Sequence, residues 1–174
     1  MNDRSDARRF AARMSALPEI LECVRQACRD SGIVPPVALG AGLGGGENFT
    51  NNARPPSRDS GIVSPAAVRA ELVIEELFTN TVRHGYRGEC DDPVWLHALP
   101  SPGTLCLTYQ DAARAFDPLA LELVEAAVAP HHVGGQGIRL IRSLANSVAY
   151  GRADERNILT LLFAVAPASC ETAT

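Results

Sequence analysis

The stretch ELVIEELFTNTVRHGY, residues 71–86, says most about the architecture of this chain. Its apolar residues recur at helical spacing, which predicts a helix apolar enough to lie at the centre of the protein. Ser64 is a suitable N-cap with Pro65 at the first helical position, and Gly85 is a suitable end. We therefore predict a central helix that begins after Ser64 and ends at Gly85.

Two polar residues of this helix suggest chemistry. Glu76 and Asn80 stand four residues apart and share one helix face. Burying an Asn without partners is costly, and its oxygen can complete the shell of a Mg2+ held by substrate phosphates. Glu76 could act as a general base, and Arg83 and His84 lie about one turn further on, within reach of phosphate oxygens. The competing interpretation is an amphipathic helix with a polar stripe, which we prefer for Glu75.

A glycine cluster lies in HHVGGQGIRLIRSLA, residues 131–145. Gly134, Gly135 and Gly137 precede an amphipathic pattern that predicts a helix over residues 137–148. Glycines let the backbone approach an anion closely, and the free N–H groups at a helix start point at it. A phosphate-binding turn and a plain tight turn both fit these residues.

A second glycine cluster, VALGAGLGGGENF at residues 37–49, spells G-x-G-x-x-G with Gly40, Gly42 and Gly45. A dinucleotide fingerprint needs a helix directly after its glycines, and no helix pattern follows here. We interpret the match as chance within a Gly- and Pro-rich loop or insertion over residues 33–63. A loop that wraps a phosphate stays open as the alternative.

Asp111 ends an alternating apolar pattern in TYQDAARAFDP, residues 108–118. A carboxylate at the end of a strand can accept a hydrogen bond from an adenine amino group. The competing interpretation is a loop aspartate that makes an Asx-turn, which is common.

The remaining patterns predict one domain over residues 1–174. A short edge strand over residues 8–14 precedes a helix capped by Ser15 and ended by Gly32. A hairpin over residues 93–111, a short helix over residues 117–130 and two closing strands complete the order. We predict an α+β two-layer sandwich with a mainly antiparallel or mixed sheet and helices on one face.

Composition narrows the classes of function. The net charge of −4 disfavours a nucleic-acid partner, and no apolar run is long enough to predict a membrane span. The five cysteines form no C-x-x-C pair, which argues against zinc and against a disulfide framework. We therefore expect a cytoplasmic protein.

Three motifs in order carry a resemblance to a known superfamily. EELFTNTVRHGY, the strand that ends in Asp111 with Phe-Asp-Pro after it, and GGQGIRLIRSLANSVAY resemble the N, G1 and G2 boxes of the GHKL (histidine kinase-like) ATPases. Within that superfamily they are most similar to the anti-sigma regulatory factor serine/threonine kinases. The similarity runs from about Arg8 to Ala166, with residues 33–63 as an apparent insertion.

The resemblance implies an α/β sandwich that binds ATP and Mg2+ between helices and sheet. It makes Asn80 the Mg2+ ligand, Glu76 the catalytic base and Asp111 the adenine-reading residue. It assigns the remaining nucleotide contacts to Arg83, His84, Ala113, Ala115, Gly134, Gly135, Gly137 and Ile138. Residues 118–133 would form a short lid, and the chain has no dimerisation helix with a phospho-accepting His, which argues against a complete sensor kinase.

The G1 box departs from the superfamily pattern Asp-x-Gly-x-Gly, because Ala113 and Ala115 replace both glycines. If the first position needs a positive φ, Ala113 would be strained by about 1 kcal/mol or more. If only close approach to adenine is required, a methyl group is tolerated.

The resemblance implies a serine/threonine protein kinase of a bacterial partner-switching pathway. Its partners would be a STAS-domain anti-anti-sigma protein as substrate and a sequestered sigma factor or other regulator, with a homodimer possible. Two alternatives remain open. One is a GHKL-fold binding module that has lost ATP chemistry, and the other is a stand-alone ATPase that uses water as the attacking group.

Overall fold

The computed structural model describes residues 7–33, 64–120 and 136–165. They form five strands, three α-helices and two short turns of helix. The elements are β1 Arg8–Ala11, a 3-10 turn Met14–Ala16, α1 Leu17–Asp30, α2 Pro65–Asn80, a π-helical turn Thr81–Gly85, β2 Pro93–Ser101, β3 Thr104–Asp111, α3 Gln136–Leu144, β4 Ser147–Ala153 and β5 Arg156–Ala164.

The strands form one sheet in the order β1-β2-β3-β5-β4, and every neighbouring pair is antiparallel. The helices pack on one face of it, with α1 against β2 and α2 against β5, while α3 packs against α2. The predicted α+β architecture with helices on one face is therefore confirmed. Hairpins explain the antiparallel pairing of β2 with β3 and of β4 with β5, because a short turn joins the two strands of each pair.

Alternation along the strands sets the core. On the face that meets the helices, the apolar residues are almost completely buried: Phe10, Val94, Leu96, Leu105, Leu107, Tyr109, Leu159, Leu161 and Phe163. The helices contribute the opposing layer: Ile20, Val24, Cys28, Ala67, Ala70, Val73, Ile74, Leu77, Phe78 and Ile141. The predicted central helix is confirmed in α2, which is buried along most of its length.

Several predicted boundaries differ from the structure. Ser15 lies inside the 3-10 turn, and Ala16 precedes α1 without a side-chain cap. Ser64 is the N-cap of α2, but its backbone carbonyl, not its hydroxyl, accepts from the first free N–H groups. The helix predicted over residues 137–148 ends at Leu144, because β4 begins at Ser147 and pairs with β5.

The predicted insertion over residues 33–63 lies outside the described residues except for its first position. Ile33 is completely buried, and its N–H donates to the carbonyl of Cys28, so it closes the end of α1. Most of the helix predicted over residues 117–130 and the lid predicted over residues 118–133 also lie outside the described part.

Among the described cysteines, Cys23, Cys28, Cys90 and Cys106 are free thiols. Within the same residues, none of the helices combines the length and the apolar character that a membrane crossing requires.

The core face of the sheet changes chemistry at one end. Asp111 on β3 pairs in register with Asn157 on β5, and Asn157 pairs with Arg152 on β4. Paired residues point to the same face, so these three polar residues form a row that continues the apolar core. The C-terminal end of α2 lies over this row, since Thr81 hydrogen-bonds to Asp111.

Candidate active site

The central helix ends in a π-helical turn. The N–H of Tyr86 donates to the carbonyl of Thr81 over 2.8 Å, and the N–H of Gly88 donates to the carbonyl of Val82 over 2.8 Å. Single π turns occur frequently at functional sites. This turn buries Thr81 against the sheet and leaves Arg83 and His84 exposed.

Asp111 carries a buried carboxylate, and one of its two oxygens accepts two short hydrogen bonds. The residue is 6% exposed. Its Oδ1 accepts from the N–H of Ala113 at 2.9 Å and from Asn157 Nδ2 at 2.8 Å. Oδ2 accepts from Thr81 Oγ1 over a long 3.3 Å, while the hydroxyl of Tyr109 donates to Thr81 at 2.9 Å. The bond to Ala113 is the Asx-turn of the competing interpretation, and it leaves Oδ2 with acceptor capacity.

Burial raises the pKa of Asp111 above its ordinary value, and the hydrogen bonds from Asn157, the Ala113 N–H and Thr81 oppose that rise. Desolvation disfavours the charged form, whereas donors stabilise it. A carboxylate kept in such surroundings needs an explanation beyond folding, because an apolar residue would fill the same place at lower cost.

Ala113 occupies the position of the missing glycine without backbone strain. The non-glycine residues with positive φ in the described part are Arg87, Asp154 and Glu155, so Ala113 keeps an ordinary conformation. Its methyl group is buried against Gly85, where an added Cβ would lie 2.9 Å from the Cβ of Ala113. Because Gly85, at the end of the π turn, has no side chain, the methyl group of Ala113 fits where the superfamily pattern has a glycine. Ala115 is exposed.

Tyr86 joins the end of the π turn to the sheet. Its hydroxyl donates to the carbonyl of Pro93 at 2.8 Å and accepts from the N–H of Ala112 at 2.8 Å. Burial raises the pKa of Tyr86 to about 12, so the phenol stays protonated and can make both bonds at neutral pH. These two bonds hold the residue after Asp111 beside the turn.

Sequence reasoning missed Asn157, which contacts more of the site than any predicted residue. It is 3% exposed, and its amide bonds to Asp111, Tyr150, Arg152 and the backbone of residues 113–116. A signal was present in the alternation of β5, since Asn157 has the same parity as the buried Leu159. Asn157 is also the last residue of the polar stretch ADERN, residues 153–157, which is typical of a turn and concealed that signal.

Glu76 and Asn80 lie on one face of α2 as predicted, and both are half-buried. Neither side chain has a hydrogen bond or ion pair to any residue in the described ranges. A half-buried amide without partners suits a ligand that brings its own oxygen or cation, so Asn80 fits one position of a Mg2+ shell. The described residues contain no group of three or more His, Cys, Asp or Glu that could hold a metal ion.

The glycine cluster is only partly described. Gly134 and Gly135 lie outside the described residues, whereas Gly137 and Ile138 belong to the first turn of α3. The described part of α3 begins at Gln136, between Gly135 and Gly137, and it packs against α2. The structure thus brings Asp111 and Ala113 to the end of α2, beside Thr81 and Gly85. That the predicted site residues bind a nucleotide stays a prediction.

Comparison with known proteins gives the family. The model of the histidine kinase-like ATPase domain matches residues 10–163. Among solved structures, the chain is similar to the histidine kinase domain from Erythrobacter litoralis EL346 blue-light activated histidine kinase, with a TM-score of 0.44 and 21% identity. The match covers 58% of this chain and 45% of that chain, so less than half of that protein is represented. No curated protein matches the sequence. The family match spans α1, α2 and the β2-β3 hairpin, and it includes Asp111, Arg152 and Asn157. On that evidence the chain belongs to the histidine kinase-like ATPase domain family.

Proposed function

We propose that this ATPase-family domain is a serine/threonine protein kinase of the anti-sigma type. ATP would bind with its adenine amino group on Asp111 and its phosphates at Gly134, Gly135 and Gly137, beside Ile138. Glu76 would act as the general base toward the hydroxyl of a protein substrate. Arg83 and His84 are exposed on the turn after Asn80 and would contact phosphate oxygens.

One observation carries the proposal: the orientation of the buried Asp111 carboxylate. Oδ1 is held by two donors, so the carboxylate cannot rotate freely, and Oδ2 keeps capacity to accept from a ligand. The exocyclic amino group of adenine is a donor of the right kind. Ala113 and Ala115 do not oppose this arrangement, because Ala113 is unstrained and Ala115 is exposed.

The phosphoryl transfer needs few protein groups. The hydroxyl oxygen of a partner Ser or Thr would form a bond to the γ-phosphorus, its proton would pass to Glu76, and the bond to the β-phosphate oxygen would break to release ADP. A Mg2+ held by Asn80 and by phosphate oxygens would neutralise charge on those phosphates. The protein contributes position and electrostatics, which account for most catalysis of this reaction.

The partners follow from the resemblance of the three boxes to the anti-sigma branch. A STAS-domain anti-anti-sigma protein would be the phosphorylated substrate, and a sigma factor or other regulator would be sequestered by binding. Homodimerisation remains an expectation of the same kind. Two outcomes would replace the kinase proposal. One is sequestration of a partner protein without ATP chemistry, and the other is hydrolysis of ATP with water as the attacking group.

The first experiment is a calorimetric titration of the purified chain with ATP, with and without Mg2+. The proposal expects Mg2+-dependent binding in the micromolar range. Binding that is absent at millimolar ATP would contradict it and would favour a module that acts through its surface alone.

The second experiment separates the kinase from the ATPase. The chain is incubated with γ-labelled ATP, Mg2+ and STAS-domain proteins encoded beside its own gene. Label on a Ser or Thr of a STAS protein supports the proposal. Rapid phosphate release without any partner, and no label on protein, would show that water is the acceptor.

A further inference from the structure

The amide nitrogen of Asn157 joins the Asp111 carboxylate to the loop that follows it. Nδ2 lies 2.8 Å from Asp111 Oδ1 and 2.9 Å from the carbonyl of Arg114, with the carbonyl of Ala113 at 3.4 Å. An amide has two N–H donors, and both short contacts use them. One side chain therefore fixes the carboxylate and the loop backbone together.

The amide oxygen of Asn157 fixes the orientation of the amide. Oδ1 accepts from Arg152 Nη1 at 2.9 Å, from the hydroxyl of Tyr150 at 3.0 Å and from the N–H of Phe116 at 3.2 Å. Arginine can only donate, so the oxygen of Asn157 must face Arg152 and the nitrogen must face Asp111. The reverse orientation would place two acceptors together at the carboxylate.

We propose that Asn157 is a positioning residue that sets the preference of the site for adenine over other purines. The inference rests on the proposed function and deepens it. Asn157 occupies Oδ1 of Asp111 and so leaves Oδ2 as the acceptor that meets the ligand. An amino group at the six position of a purine can donate to that oxygen, whereas a carbonyl oxygen there cannot.

The loop over residues 113–116 supports the same role. In place of the two glycines of the superfamily pattern, the backbone of this loop is held through Arg114 and Phe116 by Asn157. Loss of Asn157 therefore removes one of the two donors to Oδ1 of Asp111, together with the side-chain bonds that hold the backbone beside it. The expected result is a site that still binds nucleotides but selects their base poorly.

The test compares the dissociation constants of ATP and inosine triphosphate, in Mg2+, for four full-length proteins. These are the wild type, Asn157→Ala, Tyr150→Phe and the control Asn146→Ala. Asn146 accepts from the N–H of Ala164 at 2.9 Å at the other end of the same strand pair. Its loss removes a comparable bond to β5 without touching Asp111. The ratio of the two constants does not depend on the fraction of folded protein.

We expect the wild type to prefer ATP and Asn157→Ala to reduce that preference at least about fivefold, as loss of one hydrogen bond to a charged group implies. Tyr150→Phe, which removes one of three donors to Asn157, should reduce it about twofold. Asn146→Ala should shift the unfolding midpoint and leave the ratio unchanged.

An unchanged ratio in Asn157→Ala overturns the inference while the proposed function stands. If that variant does not fold, Tyr150→Phe decides in the same way. A wild type that binds neither nucleotide overturns the proposed function and this inference with it.

Discussion

The two ends of the sheet's core face are equally buried and chemically opposite. Along β3, Leu105 and Leu107 are completely buried and apolar, whereas Asp111 at the end of the same strand is buried and ionisable. Along β5, Leu161 is completely buried, whereas Asn157 is buried and polar. Both ends belong to the same strands and the same face of the sheet. We therefore attribute the chemical difference to different roles, folding at the apolar end and ligand binding at the polar end.

The apolar end is explained by folding alone. Each buried leucine contributes about 1.5–3 kcal/mol through removal of apolar surface from water. The polar end costs desolvation, which its hydrogen bonds at best offset. It follows that changes at the apolar end should lower the free energy of unfolding and leave ATP affinity unchanged. Changes at the polar end should weaken ATP binding and lower the free energy of unfolding less.

The largest effect is expected at Glu76, on the helix face that leads to the polar end. Glu76→Gln should slow phosphoryl transfer to a STAS-domain substrate by about 10²–10⁴-fold, because the general base is lost. ATP affinity and unfolding should change little, since the half-buried carboxylate has no described partner. Glu75→Gln, an exposed neighbour, is the matched control and should keep full transfer. Transfer at the wild-type rate in Glu76→Gln would remove Glu76 from the mechanism.

Leu161→Ala tests the apolar end. Deleting a completely buried leucine should lower the free energy of unfolding by about 2–5 kcal/mol, measured in urea. ATP affinity of the folded protein should stay within about twofold, because Leu161 lies in the apolar part of the core face, where it pairs with Leu107 and not with Asp111. Leu162→Ala, the partly exposed neighbour on the opposite face, should cost under about 1 kcal/mol. Equal losses in the two variants would mean that the core face is misassigned.

A double-mutant cycle at Gly85 and Ala113 tests how the altered G1 box is accommodated. Gly85→Ala should destabilise by about 1–3 kcal/mol, since the new Cβ would lie 2.9 Å from the Cβ of Ala113. Gly85→Ala should also weaken ATP binding. Adding Ala113→Gly to that variant should recover most of the lost stability and bring ATP affinity back toward the wild-type value. Urea unfolding of the four proteins gives the coupling, expected at about 1–2 kcal/mol. Additive effects would show that the two positions do not compensate.

A smaller effect is expected in the pH dependence of stability. Burial raises the pKa of Asp111 in the folded protein, so the folded state holds that proton more tightly than the unfolded chain. The stability due to this proton is present below the ordinary pKa of 3.8 and is lost as pH rises through the raised pKa. Asp111→Asn should remove this loss, measured as the difference between two unfolding curves across pH. A difference that does not change with pH would contradict the raised pKa.

Local patterns in the sequence predicted much of the fold. The spacing of apolar residues predicted α2 as a central helix that starts after Ser64, although Val68 and Leu72, which belong to the predicted apolar set, are exposed. Alternation predicted the β2-β3 and β4-β5 pairs. The predicted end at Gly85 agrees with the structure, but the π turn does not follow from periodicity. A bond from Tyr86 to Thr81 is selected by tertiary contacts rather than by residue spacing.

The site was less accessible to sequence reasoning, because it depends on residues far apart in the chain. Asp111 was found from its place at the end of a strand. Asn157 was missed because its pairing with Asp111 needs the β3-β5 register, which no local pattern states. The fit of Ala113 against Gly85 likewise depends on two segments far apart in the chain, the π turn and the loop after β3. Only the distance between the two residues reveals it.

The central claim is that Asp111 is buried for binding and not for folding. Asp111→Asn tests it directly, because Asn can keep the acceptor that Ala113 and Asn157 use and replaces Oδ2 by a donor. Calorimetric titration with ATP and Mg2+ should give a dissociation constant at least about tenfold weaker than in the wild type, with an unfolding free energy no lower at neutral pH. Equal affinity in the two proteins, or a large loss of stability in the variant, would contradict the account.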